Sequence, residues 1–153
     1  MNGYPEQYRH GHHLPENYPI IRGHTPRSVW LRGDLGIDRI VDALAPLGDI
    51  PVIVKDFVKS RKHEWAEACF IPSAADREAV GRVVGRFLEL QGDDLNEGLV
   101  FREFVEFEPV GVHPKSGMLL TEEYRIFWLD GSLDFWSPYW AEGDYRGHRS
   151  ARQ

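Results

Sequence analysis

The stretch PVIVKDFVKSRKHEW, residues 51–65, places the tightest limit on the fold. Val52, Ile53 and Val54 form a β-branched apolar run that suits a buried strand. The run breaks at Lys55, and Lys59, Arg61 and Lys62 follow within eight positions, in a chain whose formal net charge is −6. EACFI, residues 67–71, has the composition of a second strand. The pattern predicts two paired strands joined by a basic loop. Lys55 directly continues the first strand, so its stem is held while its ammonium projects from the sheet end.

Composition closes off several classes. With 42% hydrophobic and 27% charged residues the chain is a soluble globular type, and five Trp argue against disorder. At 153 residues it is long enough for one domain with a real core. No apolar run approaches spanning length, and the N-terminus lacks the form of a signal peptide, so no membrane contact is expected. The single cysteine, Cys69, excludes an internal disulfide, and a cytoplasmic, reducing location is the default. The acidic balance excludes broad nucleic-acid binding. A local basic loop in an acidic chain points to a small anionic ligand.

Residues 1–27, rich in Pro, Gly, Tyr and His without a period, predict an irregular arm. Residues 28–140 form the domain, and 141–153 a polar tail. SVWLR at 28–32 predicts a short strand. Ile37, Ile40, Val41, Leu44 and Leu47 recur at helical spacing and Gly48 ends that helix. Ser73, with Asp76 three positions on, predicts a capped helix whose stripe is Val80, Val83, Val84, Phe87 and Leu88. LVFREFVEF, 99–107, predicts a long strand with Leu99, Phe101, Glu103, Val105 and Phe107 on one face. Residues 109–121 form a loop, and Asp130-Gly131 turns a hairpin in EYRIFWLDGSLDFW. The fold class is α+β, a mainly antiparallel sheet with two packed helices.

Charges inside strands carry the chemistry. Glu103, Glu123 and Arg125 lie on otherwise apolar faces, where an ionised group needs a partner or a ligand. An Arg–Glu pair across the sheet and a ligand cleft both meet that need. The basic loop contains no glycine, so phosphates there would be gripped by side chains and not by a backbone cradle. A solvated loop is the plain alternative. His10, His12, His13 and His24 lack the Cys or carboxylate companions of a metal site. Cys69 has the setting of a small buried hydrophobe. KDF is not the Lys-x-Asp-Gly nucleotidyl-transfer motif, and no Gly-x-Ser-x-Gly occurs.

Taken in order, PVIVKDFVKSRKHEW, GLVFREFVEF and TEEYRIFWLDG resemble an ATP-grasp domain. The resemblance is to the bacterial and phage clade named for two arginines and a lysine, and it spans residues 25 to 140. It implies two α+β subdomains that hold ATP with Mg²⁺, and a ligase joining a carboxylate to an amine through an acyl phosphate. It further implies that Lys55 contacts the phosphates and that Lys59, Arg61 and Lys62 lie in the loop covering them. Arg102, Glu103, Phe104 and Val105 match the strand whose backbone bonds adenine. Glu123 matches the acid near the ribose, and Arg125 the second clade arginine, which with Lys55 would act in catalysis. The family's Mg²⁺ carboxylates lie on later strands. This sequence stops at Gln153 soon after the hairpin, so an incomplete C-terminal subdomain without metal ligands is expected. The alternative is a noncatalytic interaction module, or a partial chain completed by a second polypeptide.

Overall fold

The computed structural model describes residues 5–114 and 117–145. The chain divides into two compact units, Met1–Val105 and Glu106–Gln153.

The first unit is built on an antiparallel sheet of β1 (Ser28–Arg32), β2 (Val52–Asp56), β3 (Phe70–Ile71) and β4 (Gly98–Glu103), in the order β1-β4-β2-β3. One face carries Val29, Leu31, Val52, Val54, Leu99 and Phe101. It packs on two helices, α3 (Ile37–Leu44) and α5 (Arg77–Gln91), through Ile40, Leu44, Val80, Val83, Val84 and Phe87. Of the stripes read from the sequence, Ile40 and Leu44 of α3 and Val80, Val83, Val84 and Phe87 of α5 are buried, while α3 ends at Leu44 and a 3-10 turn, Ala45–Leu47, carries the chain to Gly48. The cap of α5 is Asp76, whose side chain accepts from the Ala79 amide at 3.0 Å. Ser73, the expected cap, instead accepts from the Ala75 amide and shapes the turn before the helix.

The stretch expected to be irregular contains two helices, α1 (Pro5–His12) and α2 (Leu14–Ile21). Each has eight residues, too few to be stable alone in water. Tertiary contact accounts for α2. Leu14 is buried with Phe57 and Val100, and Tyr18, Ile21 and Val58 pack around them. Pro15 suits the first turn, where its missing N–H removes no helical bond. A four-residue helix, α4 (Trp65–Ala68), takes the first two of the five residues expected to be a strand, and β3 keeps the last two. β4 ends at Glu103, short of the expected 107, so Val105 and Phe107 lie outside the sheet and exposed.

In the second unit the expected loop 109–121 holds a ladder of β5 (Pro109–Val112) and β6 (Leu119–Thr121) around buried Val110 and Leu120. Residues 115 and 116, and the expected polar tail beyond Tyr145, lie outside the described residues. The hairpin is present as β7 (Tyr124–Leu129) and β8 (Ser132–Pro138). Asp130 and Gly131 have φ of 49° and 76°, both positive as a type I′ turn requires.

Two glycines separate the steric limits of this fold. A Cβ on Gly98 would collide with the Leu31 carbonyl oxygen and lie 3.2 Å from the Phe57 ring. Gly85 is on the exposed side of α5 with nothing within 4 Å. We expect Gly98→Ala to destabilise the protein by about 1–3 kcal/mol through overpacking. Gly85→Ala should stabilise it by about 0.5–1 kcal/mol by improving helix propensity. Urea unfolding of both variants checks the opposite signs.

Candidate functional site

The register of β4 sorts the strand charges by face. Residues opposite one another share a face, so Ser28, Arg102, Ile53 and Phe70 form one rung across all four strands. Trp30, Val100 and Lys55 form the next rung on the same side. This is the face turned away from α3 and α5. The contacts of α2 with Val100, Phe57 and Trp30 cover it on the β1 and β4 side. On the β2 and β3 side Trp65 stacks on Phe70 with ring centroids 5.4 Å apart, and Phe104 meets both rings edge-on. Lys55 and Arg102, both half-buried, lie on adjacent rungs between the α2 cover and this aromatic cluster.

Lys55 donates from Nζ to the Val58 carbonyl at 3.2 Å. Burial holds its pKa below the usual 10.5; Asp56 opposes that shift, while Arg102 and Lys62 add to it. Arg102 donates to Thr25 Oγ1 at 2.8 Å, and burial lowers its pKa as well. Both cations are thus partly desolvated on one sheet face, and Arg102 adds to the lowering of the Lys55 pKa, a local field that favours an anion.

The remaining loop cations are placed differently. Lys59 is exposed, and its amide donates to the buried Asp56 carboxylate. Lys62 is half-buried in a short 3-10 turn, Lys62–Glu64. Arg61 is tied into the fold. Its Nε donates to Gln91 Oε1 at 2.6 Å and its Nη2 to the Leu90 carbonyl, so it satisfies the C-terminal end of α5.

Glu103 lies on the core face, opposite Val52, at the open end of the strand. Arg27 is its partner: the Nε–Oε2 distance is 3.0 Å, and this bond lowers the Glu103 pKa. The pair is the cross-sheet Arg–Glu arrangement that the sequence left open. The amides of Glu103 and Phe104 donate to the carbonyls of Arg27 and Pro51 at 2.8 and 2.9 Å. Backbone beyond them begins at Val105. Cys69 lies at the end of α4, not in mid-strand, and burial pushes its thiol up to about 12, the reverse of an activated nucleophile.

In the second unit Glu123 is half-buried, and its Oε1 accepts from Thr121 Oγ1 at 2.7 Å and Trp140 Nε1 at 3.2 Å. The Arg125 guanidinium lies over the Tyr139 ring at 4.6 Å. Among the described residues no group of three or more His, Cys, Asp and Glu could hold a metal ion. Among them, too, no helix is long and apolar enough to cross a membrane.

Residues 46–151 match the profile of an ATP-grasp domain, family 3 of the clade named for two arginines and a lysine. The chain belongs to this ATP-grasp family. No curated protein and no solved structure matches it. The match takes in β2, the basic loop, α5, β4 and the hairpin, while α1, α2, β1 and α3 precede it. Within this ATP-grasp domain the structure adds Asp56, Gln91, Trp65 and Phe70 to the residues singled out from sequence. The signal for Asp56 was an acid at the end of an apolar strand. Nothing local to Gln91 marked it.

The lowered pKa of Lys55 has a definite consequence for stability. The unfolded chain binds the proton more tightly, so the ammonium's desolvation penalty is fully present at neutral pH. It is relieved as pH rises through the folded value toward 10.5. Lys55→Met removes this titration. We expect the stability difference, variant minus wild type, to shift in favour of wild type as pH rises from neutral toward 10.5. Urea unfolding across that range measures it, and a difference independent of pH would contradict a desolvated ammonium.

Proposed function

We propose that this ATP-grasp domain binds ATP against the sheet face bearing Lys55, within a ligase that joins a carboxylate to an amine. The observation that carries the reading is the half-buried Lys55 ammonium on the same sheet face as the half-buried Arg102. Two neighbouring cations withdrawn from water are unfavourable unless an anion completes them, and a triphosphate supplies that charge. Lys59 and Lys62 add charge from the loop. Arg61, held by Gln91 and the Leu90 carbonyl, supports the loop and is not assigned a phosphate.

The base is read by the backbone of Val105, because the Glu103 and Phe104 amides already have partners and the Phe104 ring belongs to the aromatic cluster. The family resemblance assigns Glu123 to the ribose and Arg125 to the second clade arginine. Among the described residues no group of three or more His, Cys, Asp and Glu could hold a metal ion, and no step is routed through Mg²⁺. Ligase activity is therefore assigned to the domain together with a carboxylate-bearing segment, from this polypeptide or another, in the cytoplasm. A second reading, a noncatalytic module that pairs with another chain, is favoured by the hairpin. Its Ile126, Phe127, Trp128, Leu129, Leu133 and Phe135 are all exposed. Sedimentation with and without ATP separates the two, since a pairing module assembles without nucleotide.

Isothermal titration with ATP and Mg²⁺ tests the main reading, and absence of binding at millimolar ATP would overturn it. We expect Lys55→Ala to weaken binding by about 1–3 kcal/mol, the range for a lost charge-assisted hydrogen bond. Lys59→Ala should cost less and chiefly reduce the salt dependence, because an exposed charge is screened and must be ordered on binding.

A further inference from the structure

The Asp56 carboxylate has no exposure to solvent, and a buried charge must be satisfied in full. Its Oδ1 accepts from the Val58 amide at 2.7 Å and from the Lys59 amide. Its Oδ2 accepts from Gln91 Nε2 at 2.8 Å and from the Asn96 amide at 3.3 Å. The Asp56 amide in turn donates to the Lys59 carbonyl at 2.9 Å, closing the turn. Gln91, also buried, passes from Asp56 to Arg61, and its orientation is forced. A carboxylate only accepts and a guanidinium only donates, so the amide nitrogen must face Asp56 and the amide oxygen Arg61.

We infer that Asp56, Gln91 and Arg61 form a positioning relay that clamps the basic loop to the C-terminal end of α5 and presents Lys59 and Lys62 in a preformed arrangement. None of the three contacts the nucleotide; they act through the loop. The inference rests on the ATP reading only for its effect on affinity. The shape of the loop is a property of the free protein. Asp56 anchors one end and Arg61 the other, so residues 57–60 are held before any ligand arrives, and less order is lost on binding.

The relay has a polarity that can be reversed. Gln91→Glu sets two carboxylates against each other, and Asp56→Asn sets two amide nitrogens against each other. In the double variant Asp56→Asn with Gln91→Glu, the new amide at position 56 donates to the new carboxylate at position 91, and only the 3.3 Å bond from the Asn96 amide loses its acceptor. That carboxylate still accepts from Arg61, and the net charge is unchanged. Hydrogen exchange at the Val58 and Lys59 amides reads the loop, ATP titration reads the consequence, and urea unfolding checks the fold. We expect each single variant to lose amide protection and about tenfold in ATP affinity, and the double variant to recover a substantial part of both. Arg61→Gln, which leaves the buried Asp56–Gln91 contact in place, should weaken ATP binding without changing its salt slope. A direct phosphate ligand would lower that slope. Failure of the double variant to recover protection, or a reduced slope for Arg61→Gln, would overturn the relay. If the wild type binds no ATP, the ATP reading falls, and the exchange pattern alone still decides the relay.

Discussion

The first unit depends on a strand that must be dry on both sides. Leu99 and Phe101 point to one face of β4 and Val100 to the other, and all three are fully buried. One layer of helices can cover only one face. Helices α3 and α5 do that for Leu99 and Phe101, and α2 supplies a second cover for Val100 through Leu14. The burial gained by Val100 and Phe57 is what holds an eight-residue helix in place. The second cover stops short of β2 and β3. Lys55 and Arg102 lie where it stops, dry enough to be destabilised as cations and open enough to meet a ligand. The candidate site is the unfinished edge of a packing problem.

Much of this architecture was legible. Strands β1 and β2, helices α3 and α5 and the Asp130-Gly131 hairpin each carry a period or a turn signal within their own residues. The elements that were missed have no such local signal. Helices α1 and α2 are interrupted by Pro, Gly and His, and contact with Phe57 and Val100 stabilises α2 against its composition. The extent of β4 was overread for a related reason. Alternation continues to Phe107, but β4's pairing with β1 and β2 ends at Ser28 and Val52, so residues past Glu103 have no ladder to join.

The site divides along the same line. Lys55 was legible because it prolongs an apolar strand, a fact visible within five residues. That Arg102 shares its face followed only from the register of β4 on β2, which no single strand reveals. The partner of Glu103, Arg27, lies 76 positions away in sequence. Gln91 is 35 positions from Asp56 and 30 from Arg61, and on a helical wheel it is one more polar residue near a helix end. Only the packing of α5 beside β2 gives it meaning.

Why an acidic chain gathers four cations at a strand end therefore has a divided answer. Counting charges in sequence treats Lys55, Lys59, Arg61 and Lys62 as one patch. In the structure they differ in what already engages them. Arg61 completes helix α5 and Gln91. Lys55 is partly withdrawn from water and bonded to the Val58 carbonyl, and the Asp56 carboxylate only opposes the lowering of its pKa that burial causes. Lys59 is exposed, and its charge is already solvated. An incoming anion gains most where hydration is already partly lost, which is at Lys55 and at Arg102 on the same sheet face. The affinity of such a site is set less by the number of positive charges than by how many of them the fold has already withdrawn from water.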